Sequence, residues 1–352
     1  MSTSATAVPA TVLRAFPALA RQLDASPVHA KVLFVHDDFI VRAGPTRYSP
    51  EIFSDSTTAW RTFCANNFRA DDPRPAEAAS LPLHEWNTEF TWRPIEGPSR
   101  LLDEAQRRHY NDDGYCVLPD VVPPDVVETL IEEVDRLERI GEQRLRGMQE
   151  GRAFIARADE ITFTTHIVRN SPFTRRFYTS KLFCDIVFDI IGPDVRLYWD
   201  QAVYKKPFSP LPFPWHQDNG YTFVEPQQYL TCWVALSDSD ESNGGLQMVP
   251  GVHTLGTIAH RRTPLGYVCY DETPASAQSL TTKAGTIVCM SGTTPHQTGP
   301  NSTGDIRRAL VAQFVPEGAV AITREADGNI VRLPTNDPTR QFPIITAGAS
   351  VG

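Results

Sequence analysis

The sequence lacks the features of a membrane protein, a disulfide-stabilised protein and a repeat protein. No stretch reaches the roughly 18 consecutive apolar residues that a membrane-spanning helix needs. No segment recurs with a period of about 20–50 residues, which excludes a solenoid. The six cysteines form no CxxC pair. This spacing favours reduced thiols in an intracellular, cytoplasmic protein over a disulfide framework or a zinc knuckle.

An excess of basic charge is also missing. The chain has 42 acidic and 33 basic residues, and its formal net charge is −9. A protein that binds nucleic acid irrespective of base sequence normally presents a basic face to the phosphates. We therefore expect neither nucleic acid nor a membrane as a partner, and a small-molecule substrate is the default prediction.

The composition predicts a folded protein with many short elements. Hydrophobic residues make up 41% of the 352 positions and charged residues 21%, so there is ample apolar surface for a core. The 29 prolines and 21 glycines indicate many turns and argue against a helical bundle. The length fits about two domains, or equally one large β core with an extension.

The first hundred residues have the weakest pattern. Residues 1–23 contain no acidic side chain and suit a flexible tail or an organelle transit peptide, and two prolines in them favour the tail. Residues 31–35 have the composition of a short buried strand, and residues 71–75 that of a loop. We assign residues 1–100 to an N-terminal extension that would form a cap or lid.

Helical patterns dominate the next part of the chain. Residues 101–110 suit a helix, residues 114–118 a strand, and a second helix is expected to begin at Pro123. Its apolar stripe consists of Val126, Leu130, Val134 and Leu137, and the glutamates between them are interpreted as a solvated face. A third helix is predicted from Pro172 to Ile191, before Gly192 and Pro193.

Short β-type runs follow, separated by Gly, Pro, Asn and Ser. They cover residues 195–206, 229–236, 245–249, 285–290 and 307–315. Helices followed by many strands are typical of a jelly roll supported by helices. We predict a mainly β fold with flanking helices, whose core is a double-stranded β-helix (jelly roll, cupin-like) over about residues 155–316. The predicted domain spans residues 101–316, and residues 317–352 form a C-terminal extension.

The first chemical signal is the motif Trp215-His216-Gln217-Asp218. Residues two apart on an extended strand point to the same side, so His216 and Asp218 can reach one metal ion. They would supply two ligands of a 2-His-1-carboxylate triad, which holds Fe(II) and leaves coordination positions open. Alone the pattern is weak, because a second one occurs at His36-Asp37-Asp38.

The residues downstream distinguish the two motifs. His296 lies 80 residues after His216, and Arg307, eleven residues further on, opens an apolar strand. A triad enzyme with a dicarboxylate co-substrate needs a third ligand and a cation for the far carboxylate, which arginine binds bidentately. His36 is followed by no such pair, and we interpret it as an ordinary surface or loop histidine.

Several segments together resemble the phytanoyl-CoA dioxygenase (PhyH) family of Fe(II)- and 2-oxoglutarate-dependent oxygenases. The resemblance covers about residues 101–316. Its segments are DDGYCVLPDVVPPDVVETL at 112–130, YKKP at 204–207, PWHQD at 214–218, NGGLQMVPGVH at 243–253 and PHQTGPNSTGDIRRAL at 295–310. It implies Fe(II) as metal, 2-oxoglutarate as co-substrate and O2 as oxidant. One departure is Val252, where the family usually has a small hydroxyl residue.

The resemblance also implies roles for single residues. The iron ligands would be His216, Asp218 and His296. Arg307 resembles the arginine that pairs with the distal carboxylate of 2-oxoglutarate. Further co-substrate contacts are implied for Thr298, Trp233, Gln201 and Lys206. The carboxylate at 218 favours hydroxylation, desaturation or a related oxidation, because related halogenases have a small residue there.

Simpler interpretations compete for some of these positions. Trp233 could be a core residue instead of a co-substrate contact. His253 and His260 could each be the third ligand. His253, however, sits in a Pro-Gly turn that suits a loop-fixing role. Neither histidine is followed by an arginine at the spacing that separates His296 from Arg307. Arg308 must face away from Arg307 on a strand and is interpreted as a solvated surface charge.

Three functions therefore remain in competition. The leading one is a 2-oxoglutarate-dependent dioxygenase that hydroxylates a C–H bond of a small molecule and releases succinate and CO2. The alternatives are a cupin-type metal enzyme that uses no 2-oxoglutarate, for which Arg307 is incidental, and a jelly-roll binding protein without activity. Substrates of the family include acyl-CoA thioesters, amino-acid-like solutes and secondary metabolites, among which the sequence does not choose.

Overall fold

The computed structural model describes residues 32–36, 39–43, 81–325 and 327–351. Within these ranges, no helix combines the length and the apolar character needed to cross a membrane. Strands β1 (Val32–His36) and β2 (Phe39–Ala43) pair antiparallel, in agreement with the strand predicted at 31–35, and His36 ends the first of them. This hairpin belongs, with residues 208–211, to one compact unit, and residues 74–207 and 212–352 form the second. The predictions for residues 1–23 and 71–75 lie outside the described residues.

The second unit contains four α-helices and many short strands among its described residues. The helices are α1 (Glu104–Asp113), α2 (Pro124–Arg146), α3 (Pro172–Tyr178) and α4 (Lys181–Ile190). The first strands are β3 (Tyr115–Leu118), β4 (Arg152–Ala153), β5 (Ala156–Arg157), β6 (Ile161–Thr165), β7 (Val195–Lys205), β8 (Phe213–His216), β9 (Phe223–Glu225), β10 (Leu230–Ala235), β11 (Leu246–Met248) and β12 (Arg261–Thr263). The later strands are β13 (Gly266–Val268), β14 (Gln278–Ser279), β15 (Ile287–Ser291), β16 (His296–Thr298), β17 (Arg307–Pro316), β18 (Val320–Arg324), β19 (Ile330–Pro334), β20 (Pro343–Thr346) and β21 (Ala349–Ser350).

Two antiparallel sheets enclose the core. The larger sheet has the order β3-β15-β10-β17-β7-β6-β5-β4, and the smaller one has the order β14-β11-β16-β8. Between β7 and β17 the chain passes repeatedly from one sheet to the other, so that neighbouring strands are distant in sequence. This is the strand order of a double-stranded β-helix, or jelly roll. The predicted fold is confirmed.

The four helices cover the outer face of the larger sheet and share one hydrophobic core with it. Leu130 and Val134 of the predicted stripe on α2 are fully buried. Glu138, which lies just beyond this stripe, is buried, and its carboxylate accepts hydrogen bonds from Lys206 Nζ at 2.6 Å and from Thr162 at 2.8 Å. The helix is thus held to the sheet by a buried ion pair as well as by apolar contacts.

The predicted third helix is two helices. The segment from Pro172 to Ile191 is interrupted after Tyr178. Ser180 has an extended backbone (φ −67°, ψ 160°) and occupies the N-cap position of α4 without a side-chain capping hydrogen bond. The hydroxyl of Thr179 bonds back to the carbonyl oxygen of Arg175. Serine and threonine compete in this way with the helical hydrogen bonds, and the prediction of a continuous helix is wrong for that reason.

Segments outside the jelly roll also pack onto it. Leu83 forms a β-bridge with Ile258, and Ile95 bonds to the side chain of Asn111. At the other end of the chain, β20 pairs with β7 and so adds a strand to the larger sheet. Parts of both predicted extensions therefore join the central unit, and the exact domain boundaries stay a prediction.

A buried carboxyl group lies beneath the helices. Asp200 of β7 is fully buried; its Oδ2 accepts a hydrogen bond from the backbone N–H of Val168, while its Oδ1 and the nearby Tyr178 hydroxyl have no partner. Burial raises the pKa of Asp200 to about 7. Between its ordinary pKa and pH 7, the folded protein keeps a proton that the unfolded chain releases, so stability falls as pH rises through this range.

We expect Asp200→Asn to remove this part of the pH dependence. The isosteric amide cannot ionise, so the variant does not lose stability through this group as pH rises. The unfolding free energy of the variant minus that of the wild type, measured with urea, should therefore be about 2–3 kcal/mol larger at pH 8 than at pH 5. The same difference in unfolding free energy at both pH values would contradict the assignment of a buried, protonated carboxyl group.

Candidate active site

Two histidines face each other across neighbouring strands of the smaller sheet. His216 is the last residue of β8 and His296 the first of β16, and the two are register partners in the antiparallel pair. Directly opposed residues project to the same face. Their ring centroids are 4.2 Å apart. The strand register therefore brings together two residues that are 80 positions apart in sequence.

Hydrogen bonds orient both imidazoles. His216 Nδ1 lies 2.8 Å from the carbonyl oxygen of Pro214, and His296 Nδ1 lies 3.0 Å from that of Thr294. A carbonyl oxygen only accepts, so Nδ1 donates in each ring and Nε2 keeps a free lone pair. Burial, followed by the effect of His296, lowers the pKa of His216 well below its ordinary value. This side chain is neutral at pH 7, as a metal ligand must be.

Asp218 completes the group. Strand β8 ends at His216, and Asp218 opens a short 3-10 turn, so it is not on a strand as predicted. Gln217 keeps an extended backbone (φ −105°, ψ 144°), and the side chains on either side of it still point the same way. Asp218 Oδ1 lies 3.8 Å from Nε2 of each histidine, and its Oδ2 accepts a hydrogen bond from the Thr231 hydroxyl.

These three side chains fit one divalent metal ion. Their ligand atoms all lie within 4.8 Å of one another, and among the described residues no other group of three His, Cys, Asp or Glu has this geometry. Two neutral imidazoles and one carboxylate oxygen are the donor set of the facial triad that binds non-haem Fe(II). Thr231 holds the second carboxylate oxygen, which leaves Oδ1 for the metal.

Gln217 anchors the motif between the two ligands. Its side-chain amide donates to the carbonyl oxygens of Gly256 and Thr293, and its Oε1 accepts from the N–H of Ile258. Its backbone N–H donates to Nε2 of His260 at 2.9 Å. His260 is therefore a hydrogen-bond acceptor that supports the ligands and not a ligand. The sequence carried no signal for either supporting role.

His253 has a different structural role. It is fully buried, its Nε2 lies 3.1 Å from the carbonyl oxygen of Asn111, and its ring packs edge-on against Trp92. It ties the Pro-Gly turn to the end of α1, as the loop-fixing interpretation expects. The second His-x-Asp pattern cannot be compared, because Asp37 and Asp38 lie outside the described residues.

Arg307 opens β17 on the inner face of the larger sheet. It is 1% exposed, and none of Nε, Nη1 and Nη2 has a hydrogen-bond partner. Burial lowers its pKa only to about 10, so it is charged at pH 7. A buried cation without an acceptor is unfavourable, and buried polar groups are nearly always satisfied. A carboxylate matches the fork of the guanidinium.

Two further buried polar residues lie in this region. The hydroxyl of Thr298 is also buried without a partner, on the strand that carries His296. Lys205, the register partner of Arg307, is fully buried and donates to the carbonyl oxygens of Thr298 and Gly299. The sequence interpretation missed Lys205, and its position directly before Lys206 in the YKKP segment was the only signal.

Trp233 and Gln201 occupy the same inner face. Val311 of β17 pairs with Trp233 on one side and with Gln201 on the other, so the three side chains form a row. The Trp233 ring centroid lies 5.7 Å from Cζ of Arg307. The Gln201 amide oxygen accepts from Trp199 Nε1 at 3.1 Å. Both residues line the same inner face as Arg307, and contact with a co-substrate stays a prediction for each.

Lys206 and Arg308 point to the outer face. Lys206 places its Nζ 2.6 Å from Glu138 and 2.7 Å from Glu142 on α2, so a co-substrate contact by this residue stays an untested prediction. Arg308 does face away from Arg307. However, it pairs with Asp135 at 3.0 Å, and its interpretation as a solvated charge is wrong because α2 covers that side of the sheet.

The geometry agrees with comparisons to known proteins. A family model described as "Phytanoyl-CoA dioxygenase (PhyH)" matches residues 110–309. The chain is 26% identical over 227 residues to a probable alpha-ketoglutarate-dependent hypophosphite dioxygenase of Stutzerimonas stutzeri, covering 61% of this chain and 79% of that protein. It is 26% identical over 233 residues to an ectoine dioxygenase of Bordetella parapertussis, covering 57% of this chain and 71% of the relative.

A solved structure supports the fold. The epimerase SnoN, crystallised with Fe3+, alpha-ketoglutarate and nogalamycin RO, superposes with a TM-score of 0.56 at 20% identity, covering 68% of this chain and 98% of SnoN. At this identity the likeness concerns the fold alone. The family match spans more than half of the chain and includes the metal triad. The chain therefore belongs to the phytanoyl-CoA dioxygenase (PhyH) family and is a 2-oxoglutarate-dependent non-haem iron oxygenase.

Proposed function

We propose that the protein hydroxylates a C–H bond of a small molecule while 2-oxoglutarate is converted to succinate and CO2. The observation that carries this proposal is Arg307, a buried guanidinium whose three nitrogens have no hydrogen-bond partner among the residues that the structure describes. A metal enzyme that uses no dicarboxylate would have no need of this group. An inactive binding protein would have no need of the intact metal triad beside it.

Each residue of the site has a defined task in this proposal. Bound iron, with O2 and 2-oxoglutarate, supplies the oxidising chemistry. His216, Asp218 and His296 would hold the metal, and Thr231 keeps the carboxylate of Asp218 turned toward it. The guanidinium of Arg307 and the hydroxyl of Thr298 would bind the far carboxylate of 2-oxoglutarate. Their burial keeps water from competing for these hydrogen bonds.

The named relatives support the reaction class more than any one substrate. One is named for hypophosphite and another for ectoine, which differ in size and charge. Both names describe dioxygenases that act on small molecules. The presence of Asp218 in the triad supports oxygen transfer to the substrate over halogenation, since a carboxylate takes the position that a halide ion would need.

We expect His216→Ala to abolish iron binding at the triad. Removing one of three ligands leaves a donor set that no longer matches the facial arrangement. Anaerobic addition of Fe(II) and 2-oxoglutarate to the wild type should produce a visible charge-transfer band, and the variant should show none. His109→Ala is the matched control, because His109 is a partly exposed histidine paired with Asp113 on α1. An unchanged band in His216→Ala would reject the ligand assignment.

Arg307→Ala should weaken 2-oxoglutarate binding while iron still binds. The distal carboxylate would lose its buried cationic partner, a change that costs about 2–5 kcal/mol. This corresponds to a rise in Kd of roughly 30-fold to several-thousand-fold. The measurement is a 2-oxoglutarate titration of the iron-loaded protein, followed through the charge-transfer band.

Arg308→Ala is the control for this experiment. Its side chain pairs with Asp135 on the opposite face of the same strand, so its loss should lower stability and leave 2-oxoglutarate affinity unchanged. Equal affinity in the wild type and in Arg307→Ala would show that Arg307 does not hold the distal carboxylate of 2-oxoglutarate. A loss of affinity only in Arg308→Ala would contradict the strand register.

A further inference from the structure

A row of cations crosses the inner face of the larger sheet. Arg157 of β5 is the register partner of Ile161 on β6. Ile161 in turn pairs with Lys205 on β7, and Lys205 pairs with Arg307 on β17. Directly paired residues project to the same face, and Ile161 belongs to the core between the sheets. Neighbouring strands are about 4.8 Å apart, so the backbones of Arg157 and Arg307 are separated by about 14 Å. Arg157 thus marks a position separate from the co-substrate anchor.

Like Arg307, Arg157 is a buried arginine with an N–H donor that has no partner among the described residues. Its side chain is 8% exposed, and its Nε donates to Glu160 at 2.7 Å. Its Nη1 reaches the carbonyl oxygen of Ile155 only at 3.5 Å, and its Nη2 is buried without a partner. A guanidinium that is held by one carboxylate and has a further buried N–H group without a partner can donate to a second oxyanion.

A further arginine lies beside it. Arg152 of β4 donates a hydrogen bond to the carbonyl oxygen of Pro264, in the turn between β12 and β13. Burial, followed by the positive charge of Arg157, lowers the pKa of Arg152. Burial, followed by the charges of Arg307 and Arg157, lowers the pKa of Lys205 well below its ordinary value. Glu160 and Glu150 act on Arg152 in the opposite direction, and an anionic ligand would add to their stabilising effect.

Aromatic rings connect this region to the metal triad. Phe154, at the tip of the β4–β5 hairpin, is 52% exposed, and its ring centroid lies 6.4 Å from those of both Tyr221 and Tyr267. The rings of Tyr221 and Tyr267 are 5.1 Å apart. Tyr221 in turn contacts His216, with 5.3 Å between the ring centroids. An aromatic surface thus runs from the hairpin tip to a metal ligand.

We propose that the substrate is an organic anion whose carboxylate or phosphate group binds to Arg157 and Arg152. Its apolar or aromatic body lies along Phe154, Tyr221 and Tyr267, so that a carbon atom is presented to the triad. This inference rests on the proposed function, because it names the class of substrate for the same metal centre. Arg307 is not available to the substrate, since the co-substrate occupies it.

The test uses small probes of defined charge. The full-length protein is loaded with Mn(II) and saturating 2-oxoglutarate without oxygen, and benzoate, phenyl phosphate and the neutral isostere benzamide are titrated by calorimetry. With the metal and Arg307 occupied, we expect at least one anion to bind about tenfold or more tightly than benzamide. The stronger of the two anions identifies the carboxylate or the phosphate as the preferred group.

Arg157→Gln should weaken binding of that anion about tenfold or more, because the charge and the free donor are both lost. Arg196→Gln is the matched control, because Arg196 is also buried and paired with a glutamate, Glu317. Unlike Arg157, it donates from Nη1 to the carbonyl oxygen of Gln341. This control should keep anion affinity. If Arg157→Gln does not fold, two other variants replace it. Arg152→Gln should lose anion binding, and Arg157→Lys should keep part of it.

Three results would overturn the inference. They are equal affinity for benzoate, phenyl phosphate and benzamide, absence of anion binding by the loaded wild type, and unchanged anion affinity in Arg157→Gln. The charge-transfer band of the Fe(II)–2-oxoglutarate complex is recorded for each protein. A missing band in the wild type would reject the proposed function itself, whereas a normal band without anion preference rejects only the substrate class.

Discussion

The arrangement of the inner face depends on one buried charge without an internal partner. Arg307 is enclosed between the two sheets, and its guanidinium has no hydrogen-bond acceptor among the described residues. Burying an unpaired charge is costly, so a bound anion would stabilise this part of the fold. The ammonium group of Lys205, the register partner of Arg307, is already held by the carbonyl oxygens of Thr298 and Gly299. In the proposed function, 2-oxoglutarate would supply the missing acceptor.

The metal triad depends on strand register in the same way. His216 and His296 meet because β8 and β16 are neighbours, and backbone carbonyl oxygens turn both rings so that Nε2 is free. Gln217 and His260 then fix the chain between the first histidine and Asp218. The strand register and these hydrogen bonds together hold the three ligand side chains close to one another, so their placement does not depend on the metal alone.

The sequence was sufficient for the jelly roll, the helical layer and the residues of the triad, because strand patterns and linear motifs record them. It could not show which side chains meet across strands. The burial of Glu138 in an ion pair with Lys206 depends on how α2 packs on the sheet, and the break at Ser180 depends on an extended backbone that the apolar pattern does not record. The absence of a partner for Arg307 is also a property of three-dimensional packing alone.

A crystal structure of the protein with Mn(II) and 2-oxoglutarate, grown without oxygen, tests the central claim most directly. The account predicts one metal ion bound by His216, Asp218 and His296, with the far carboxylate of 2-oxoglutarate hydrogen-bonded to the guanidinium of Arg307 and the hydroxyl of Thr298. A structure in which the metal is bound at the triad but 2-oxoglutarate lies elsewhere, with Arg307 still unpartnered, would contradict it.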